Sequence, residues 1–278
     1  MKSENGSTGH LSVSRSFRRM HASARELWEF RGLIRSLVVR DLKIKYQDSV
    51  LGFVWSLFSP LLTVMVLIVV FNRVIRISID HYWVFLLSGF FVWHFIQQNI
   101  VNATSVFQDY SKLNRSVYFP RGVLILGTLL TKLVEFFLEI AVALILFVVF
   151  YYQAVPSSLI LLPWLVLVML IMTAGLMFPL AVIATYFRDV PRVMRVAITS
   201  LLYLTPVFYQ VEMIPSAAQP FYYLNPLVGL FRLFHLVVYS GVWPTMILLG
   251  SVSAVALAIC VVGYVIFDRY KDICVEIA

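Results

Sequence analysis

Charge is scarce in this chain. Only 13% of its 278 residues are Asp, Glu, Lys or Arg, 61% are hydrophobic, and the mean hydropathy is +0.89. Soluble domains carry about 25% charged residues, so a soluble class is excluded. Cysteine is scarcer still, with two residues. Cys260 lies inside an apolar run and Cys274 in the charged C-terminal segment, which argues against a disulfide framework. Motifs for covalent chemistry are missing too. There is no G-x-x-x-x-G-K-[ST] to cradle ATP phosphates, no H-E-x-x-H, no Cys/His cluster at metal spacing and no G-x-S-x-G elbow. The chain is therefore expected to be no enzyme and to hold no cofactor or metal of its own. Work against a gradient would draw on a partner or an ion. The first 49 residues contain no apolar core like that of a signal peptide. On this reading nothing is removed, and the N-terminus starts in the cytoplasm. The net charge of +8 reads as the cytoplasmic charge of a membrane protein, not as a nucleic-acid footprint.

What the chain has instead is long apolar runs. Residues 50–71 include no charge, and about 20 apolar residues cross a bilayer core of ~30 Å. Further runs follow at 83–103, 123–152, 159–187 and 244–267, with a shorter one at 196–209. Before the first run, Leu27, Phe30, Ile34, Leu37 and Val38 share an arc of about 100° on a helix. Arg25, Glu29, Arg40 and Lys43 lie opposite, and Arg31 and Arg35 fall near the arc's edge, where long stems snorkel. This pattern predicts a helix lying flat at the headgroups. Gly52, Ser56, Ser59 and Thr63 form a small-residue stripe on the first span, and Pro60 should bend it. Between 206 and 226 four prolines break the pattern, and neither half of 215–243 is long enough to span. Backbone broken at membrane depth needs protein or water around it. The stretch reads as a re-entrant hairpin dipping in from the outer face, with a plain external loop as the alternative.

The expected fold is thus an all-α integral membrane protein. It has six transmembrane helices, an N-terminal amphipathic interfacial helix and a re-entrant hairpin before the last span. Its divisions are a loose cytoplasmic N-terminus (1–24), the interfacial helix (25–49), the membrane domain (50–267, with the re-entrant region at about 215–243) and a cytoplasmic tail (268–278). On this map the cytoplasmic segments hold eighteen Lys and Arg and the outer segments three, Arg73, Arg76 and Arg232. Positive-inside orientation then leaves both termini in the cytoplasm.

Polar residues inside the runs are candidates for function. His94, Gln98 and Asn102 recur every four residues, either as a pore-lining face or as hydrogen bonds between helices. Lys132, Glu135 and Glu139 share one face of the third run. Lys132 and Glu135 can pair at i,i+3, and Glu139 has no partner in its own helix. The two carboxylates leave open a proton-coupled secondary transporter.

Several separated segments resemble those of ATP-binding-cassette (ABC) export permeases, more narrowly the exporters of O-antigen, capsule and teichoic-acid polymers. They are residues 37–60, with an Arg-Asp pair, Lys-x-Lys-Tyr, Leu-Gly-x-x-Trp and a later Pro; Tyr118-Phe-Pro-Arg; Tyr186-Phe-Arg-Asp-Val; Thr205-Pro-Val-Phe-Tyr; and Tyr223-Leu-Asn-Pro. The resemblance implies a multi-pass permease of the inner membrane, working as a homodimer with two copies of a separate ATPase that binds ATP and Mg. It implies a lipid-linked glycan threaded through a channel between the permeases. It places ATPase coupling at Gln108, Asp109, Lys112 and Arg115 and at the second cytoplasmic turn with Arg188 and Asp189. It puts the outer gate near Asn225, Pro226, Phe231 and Arg232. A sugar channel needs rings and hydrogen-bonding groups together. Phe53, Trp55, Phe91, Trp93, Tyr203, Phe208 and Tyr209 are candidate rings, beside His94, Gln98 and Asn102, although interfacial aromatic belts use the same residues. Arg31, Arg35, Arg40, Lys43 and Lys45 are candidates for a lipid phosphate. A drug- or lipid-exporting ABC permease would share the topology. No counterpart of residues 1–24 is implied.

Overall fold

The computed structural model describes residues 28–46, 52–110, 119–151 and 156–271. Residues 1–24, Lys112, Arg115 and the end of the tail lie outside the described residues, as does the side chain of Phe53. All the described regular structure is helical.

Helix α1 (Arg31–Tyr46) is followed by α2 (Gly52–Val69), which contains Pro60 and runs on through a π-helical turn to Ile75. Arg76 then adopts a left-handed φ of 59° and ends the helix. Next come α3 (Tyr82–Ala103), a single turn α4 (Val106–Asp109) and the 30-residue α5 (Gly122–Tyr151). A 3-10 turn leads into α6 (Leu162–Tyr186), followed by α7 (Val190–Tyr203) and a short α8 (Gln219–Tyr222). Helix α9 (Pro226–Phe234) continues as a π-helical turn, His235–Tyr239, and α10 (Met246–Tyr270) closes the described chain.

Four helical stretches are long and apolar enough to cross a membrane: Phe58–Ile75, Tyr82–Ala103, Ser157–Tyr186 and Met246–Tyr270. Helix α5 carries Lys132, Glu135 and Glu139, yet at ~1.5 Å per residue it reaches ~45 Å, more than a ~30 Å bilayer core. The α3 and α6 stretches are 78% and 61% buried, against 17% for α10 and 11% for α2. So α3 and α6 form the inside of the bundle, and α2 lies open along most of its length. Ser59 and Thr63 of its small-residue stripe are exposed.

Backbone proximity joins α10 to α6. A Cβ on Gly263 would fall 1.9 Å from the Gly175 carbonyl oxygen, and one on Gly175 would fall 2.6 Å from the Cys260 backbone. Only glycine allows this approach. Helix α1 lies along α5 in a similar way. Leu37 is buried against Gly127, with Leu33 and Ile34 packed beside it. Its apolar arc is therefore covered in part by protein.

Three expected boundaries move. Residues 190–195, which fall between the expected runs 159–187 and 196–209, are the first turns of α7, because Pro191 suits a helix's first turn. The resulting helix has 14 residues, ~21 Å long, and ends at Tyr203. Helix α10 begins at Met246, where the Thr245 hydroxyl accepts from Leu248 N at 3.3 Å. It then runs past 267 to Tyr270, so the first residues of the expected tail are helical. Arg269 suits that C-terminal turn, and Asp268 pairs with Lys271 at 2.7 Å. Last, α9 is no external loop. Leu227, Val228, Leu230, Phe231, Leu233 and Phe234 are all buried.

Candidate functional site

Polar groups collect at two places, near opposite ends of α3, labelled inner and outer after the orientation expected from the sequence. The inner one begins from α5. Helical spacing brings Lys132 over Glu135, with Nζ 3.2 and 3.0 Å from the two carboxylate oxygens. The end of α1 adds Lys45, whose Nζ is 2.9 Å from Glu135 Oε1. Glu135 is buried, and two ammonium groups compensate its charge. One turn on, buried Glu139 bonds His94 Nδ1 of α3 at 2.8 Å, while the Gln98 amide lies 2.7 Å from His94 Nε2. The set is complete with Nδ1 donating to Glu139 and Nε2 accepting from Gln98.

Nearer the end of α3, the Tyr110 hydroxyl donates to Asp41, and the Arg40 guanidinium lies over the Tyr110 ring at 4.4 Å while bonding Asp41 at 3.0 Å. Burial, and secondarily the Asp41 carboxylate, pushes the Tyr110 pKa upward, so its hydroxyl keeps the proton it donates. These groups, with Asn102, Thr128 and Thr131, line a cavity of about 250 Å³.

The outer place is built on broken backbone. His235, in the π-helical turn after α9, is buried and stacks on Phe85 with centroids 4.0 Å apart. Its Nε2 donates to the Pro206 carbonyl at 3.0 Å, and its Nδ1 lies 2.9 Å from the Ser88 hydroxyl. Tyr82 donates to the Phe208 carbonyl at 2.9 Å. Asn225 caps α9 by accepting from Leu227 N and also donates to Thr205, both at 3.0 Å. A second cavity of about 190 Å³ adjoins them, bordered by Glu212, Arg232, Tyr209 and Tyr239.

Comparison with known proteins places this arrangement. Residues 32–239 match the ABC-2 type transporter family. The chain belongs to that family. It is 31% identical over 250 residues to the O-antigen export system permease protein RfbA of Myxococcus xanthus, covering 89% of this chain and 96% of that protein. It is 30% identical over 193 residues to an RfbA permease of Klebsiella pneumoniae, covering 69% and 74%. The capsule polysaccharide export inner-membrane protein CtrC of Neisseria meningitidis is 25% identical over 210 residues, covering 70% and 75%. The chain is thus a multi-pass ABC-2 membrane protein, and the matched stretch contains both polar sites.

In this ABC-2 protein the residues singled out from sequence scatter. Among the coupling candidates, Gln108, Asp109, Arg188 and Asp189 are exposed. Among the basic residues of α1, Arg40 and Lys45 join the inner site, whereas Arg31, Arg35 and Lys43 are exposed elsewhere on the helix. His94 and Gln98 hydrogen-bond together, and Asn102 joins the cavity. Trp55 and Tyr203 are exposed, and Tyr209 is half-buried. Phe208 is 3% exposed and stacks on Phe71, and Phe231 is 0% exposed beside Trp93. Phe91 and Trp93 are buried likewise. A ring packed inside one chain cannot line a passage between two, so these four are core residues. At the expected gate, Asn225 is a cap, Pro226 opens α9 and Arg232 bonds the Tyr223 hydroxyl at 3.2 Å. The sequence reading missed Asp41 with Tyr110, and His235 with Ser88. An ionisable residue in the apolar run, His235, was the available signal for the second pair.

Proposed function

We propose that this chain is the membrane subunit of an exporter that moves a lipid-linked polysaccharide across the inner membrane, driven by ATP hydrolysis in a separate ATPase. The observation that carries the reading is the agreement of its relatives. Proteins matching 89% and 69% of the chain are named O-antigen export permeases, and a third, matching 70%, is named a capsule polysaccharide export protein. The permease itself performs no chemistry, and ATP and Mg belong to the partner.

Two copies pair, each with its own ATPase. The open face of α2, with its exposed Trp55, supports pairing along that helix. The glycan passes between the copies, against Trp55, Tyr203 and Tyr209. Six crossings arise if α5 spans and α7 crosses together with the buried segment 205–208, with α8 and α9 re-entering from outside. Both termini then face the cytoplasm, in line with eighteen basic residues inside against three outside. The ATPase docks on the segment from Gln108 to Arg115 and on the turn with Arg188 and Asp189. The exposed Arg31, Arg35 and Lys43 guide the lipid phosphate, which Arg's planar fork suits.

The test is deletion of this chain in a cell that keeps its ATPase. Surface polysaccharide should vanish, and lipid-linked polymer should accumulate on the inner leaflet. Normal surface polymer would remove the reading.

A further inference from the structure

The inner cavity is charged yet neutral in sum. Arg40, Lys45 and Lys132 line it opposite Asp41, Asp109 and Glu135, in about 250 Å³. The signs are not evenly mixed. In the lining, Lys45 and Lys132 share one carboxylate, Glu135, at 2.9 and 3.0 Å, so that side of the cavity wall is cationic; Glu139, whose field also reaches Lys132, lies one turn beyond the lining and bonds His94. At the other side Asp41 holds Arg40 and the Tyr110 hydroxyl, and Asp109 next to Tyr110 receives the Ser105 hydroxyl at 2.7 Å. Two carboxylates there face one guanidinium, and that side is anionic. The cavity therefore has a positive pole at Lys45 and Lys132 and a negative pole at Asp41 and Asp109.

A ligand matching both poles carries one charge of each sign a few ångströms apart. A simple anion would satisfy the lysines but meet the field of two aspartates. A simple cation has the converse difficulty. The position selects among zwitterions. The cavity lies where α3 ends, along the second to fourth turns of α5 and beside the basic amphipathic α1, which the sequence pattern places at the level of lipid headgroups. Carboxylates at the negative pole favour an ammonium that still carries N–H donors over a fully methylated one.

We propose that this cavity binds the headgroup of a phosphoethanolamine lipid, its phosphate at Lys45 and Lys132 and its ammonium at Asp41 and Asp109. The bound lipid fixes α1 to α5 from the membrane side. The site does not depend on what the protein exports; Asp109 also lies in the segment proposed to dock the ATPase, so the test is made on the permease without ATPase or glycan.

The full chain is purified in detergent and lipid retention is read by native mass spectrometry. The probes are phosphatidylethanolamine, phosphatidylglycerol and phosphatidylcholine of equal chain length, and soluble glycerophosphoethanolamine. Retention of phosphatidylethanolamine should exceed that of the other two lipids by roughly tenfold, the worth of one charge-assisted contact. The soluble headgroup should not compete at equal concentration. Asp109→Asn should abolish the preference over phosphatidylcholine. Lys45→Gln, altered at the other pole, should weaken retention of all three lipids. Equal retention of phosphatidylglycerol would make this an anion site and overturn the proposal. Equal retention of phosphatidylcholine would overturn the ammonium assignment, and competition by the soluble headgroup would overturn the lipid. Undiminished selectivity in Asp109→Asn together with undiminished retention in Lys45→Gln, each of wild-type helical content, would overturn it entirely.

Discussion

The two polar sites solve one problem in opposite ways. At the inner site α1, α3 and α5 are intact helices, and their backbones are satisfied internally. Side chains that enter the bundle there must find one another: Lys45 and Lys132 pair with Glu135 as ions, and His94 hydrogen-bonds Glu139. At the outer site the chain is broken between α7 and α10, which frees carbonyls where water is scarce. The donors there are spent on backbone: His235 on Pro206, Tyr82 on Phe208, Tyr239 on Asp80, Ser158 on Val237. Continuous helices thus leave polar side chains free to act as charges, while broken ones commit them to repairing the main chain. This makes the inner site the better candidate for binding a charged ligand, and the outer one a neutral frame that holds irregular backbone in shape.

The comparison can be broken by mutation. The largest effect is expected from Glu135→Ala, which leaves two ammonium groups uncompensated. Removing one partner of a buried pair costs about 3–5 kcal/mol, so the thermal midpoint in detergent should fall sharply. Replacing Lys45, Lys132 and Glu135 together by methionine should recover most of the loss, because the whole ionic set then disappears. Failure of that triple variant to recover would mean that the ions do more than balance each other. At the outer site Tyr82→Phe strands the Phe208 carbonyl at about 1–3 kcal/mol. No second side-chain substitution should rescue it, since the other partner is main chain. A compensating partner found by a suppressor screen would erase the distinction.

Glu139→Gln comes next. The amide keeps the size of the carboxylate and can still accept from His94 Nδ1, so the cost should be about 1 kcal/mol, the difference between a charged and a neutral bond. Export measured in cells should persist. Export abolished with ATP hydrolysis intact would show that the carboxylate itself is needed, and would revive proton coupling.

How much of this was legible in the sequence follows the same division. Helix interiors were legible, because apolar runs and spacing within one helix are local properties. The run at 83–103 became Tyr82–Ala103, and the i,i+3 placement of Lys132 and Glu135 became a contact of 3.0 Å. Pairing between helices was not. His94 and Glu139 were both conspicuous as polar residues in apolar runs, yet nothing local says that one meets the other. Lys45 looked like one more interfacial base because its carboxylate is 90 positions away. Phe91, Trp93 and Phe208 looked like channel rings because aromatic composition does not distinguish a core from a lining. The start of α7 was locally written in Asp189-Val-Pro, but the basic residues that follow made those turns look like a link.

The smallest change in stability is expected at Asp189, and there the comparison sharpens from structure towards coupling. Asp189 bonds Arg192 at 3.2 Å, but the two side chains are 80% and 83% exposed. Such surface pairs contribute about 0–0.5 kcal/mol. Asp189 also sits at the start of α7 without a side-chain capping bond, so it supports that helix weakly. Asp189→Asn should therefore leave the thermal midpoint within measurement error, unlike every substitution in the two buried sites. If this turn meets the ATPase, the same variant should reduce surface polysaccharide, and ATP hydrolysis in the reconstituted complex should lose its response to glycan. Charge alone is removed, so Asp189→Glu should restore both readouts. Normal export by Asp189→Asn would leave this exposed turn a solvated surface and move coupling to the segment that follows α4.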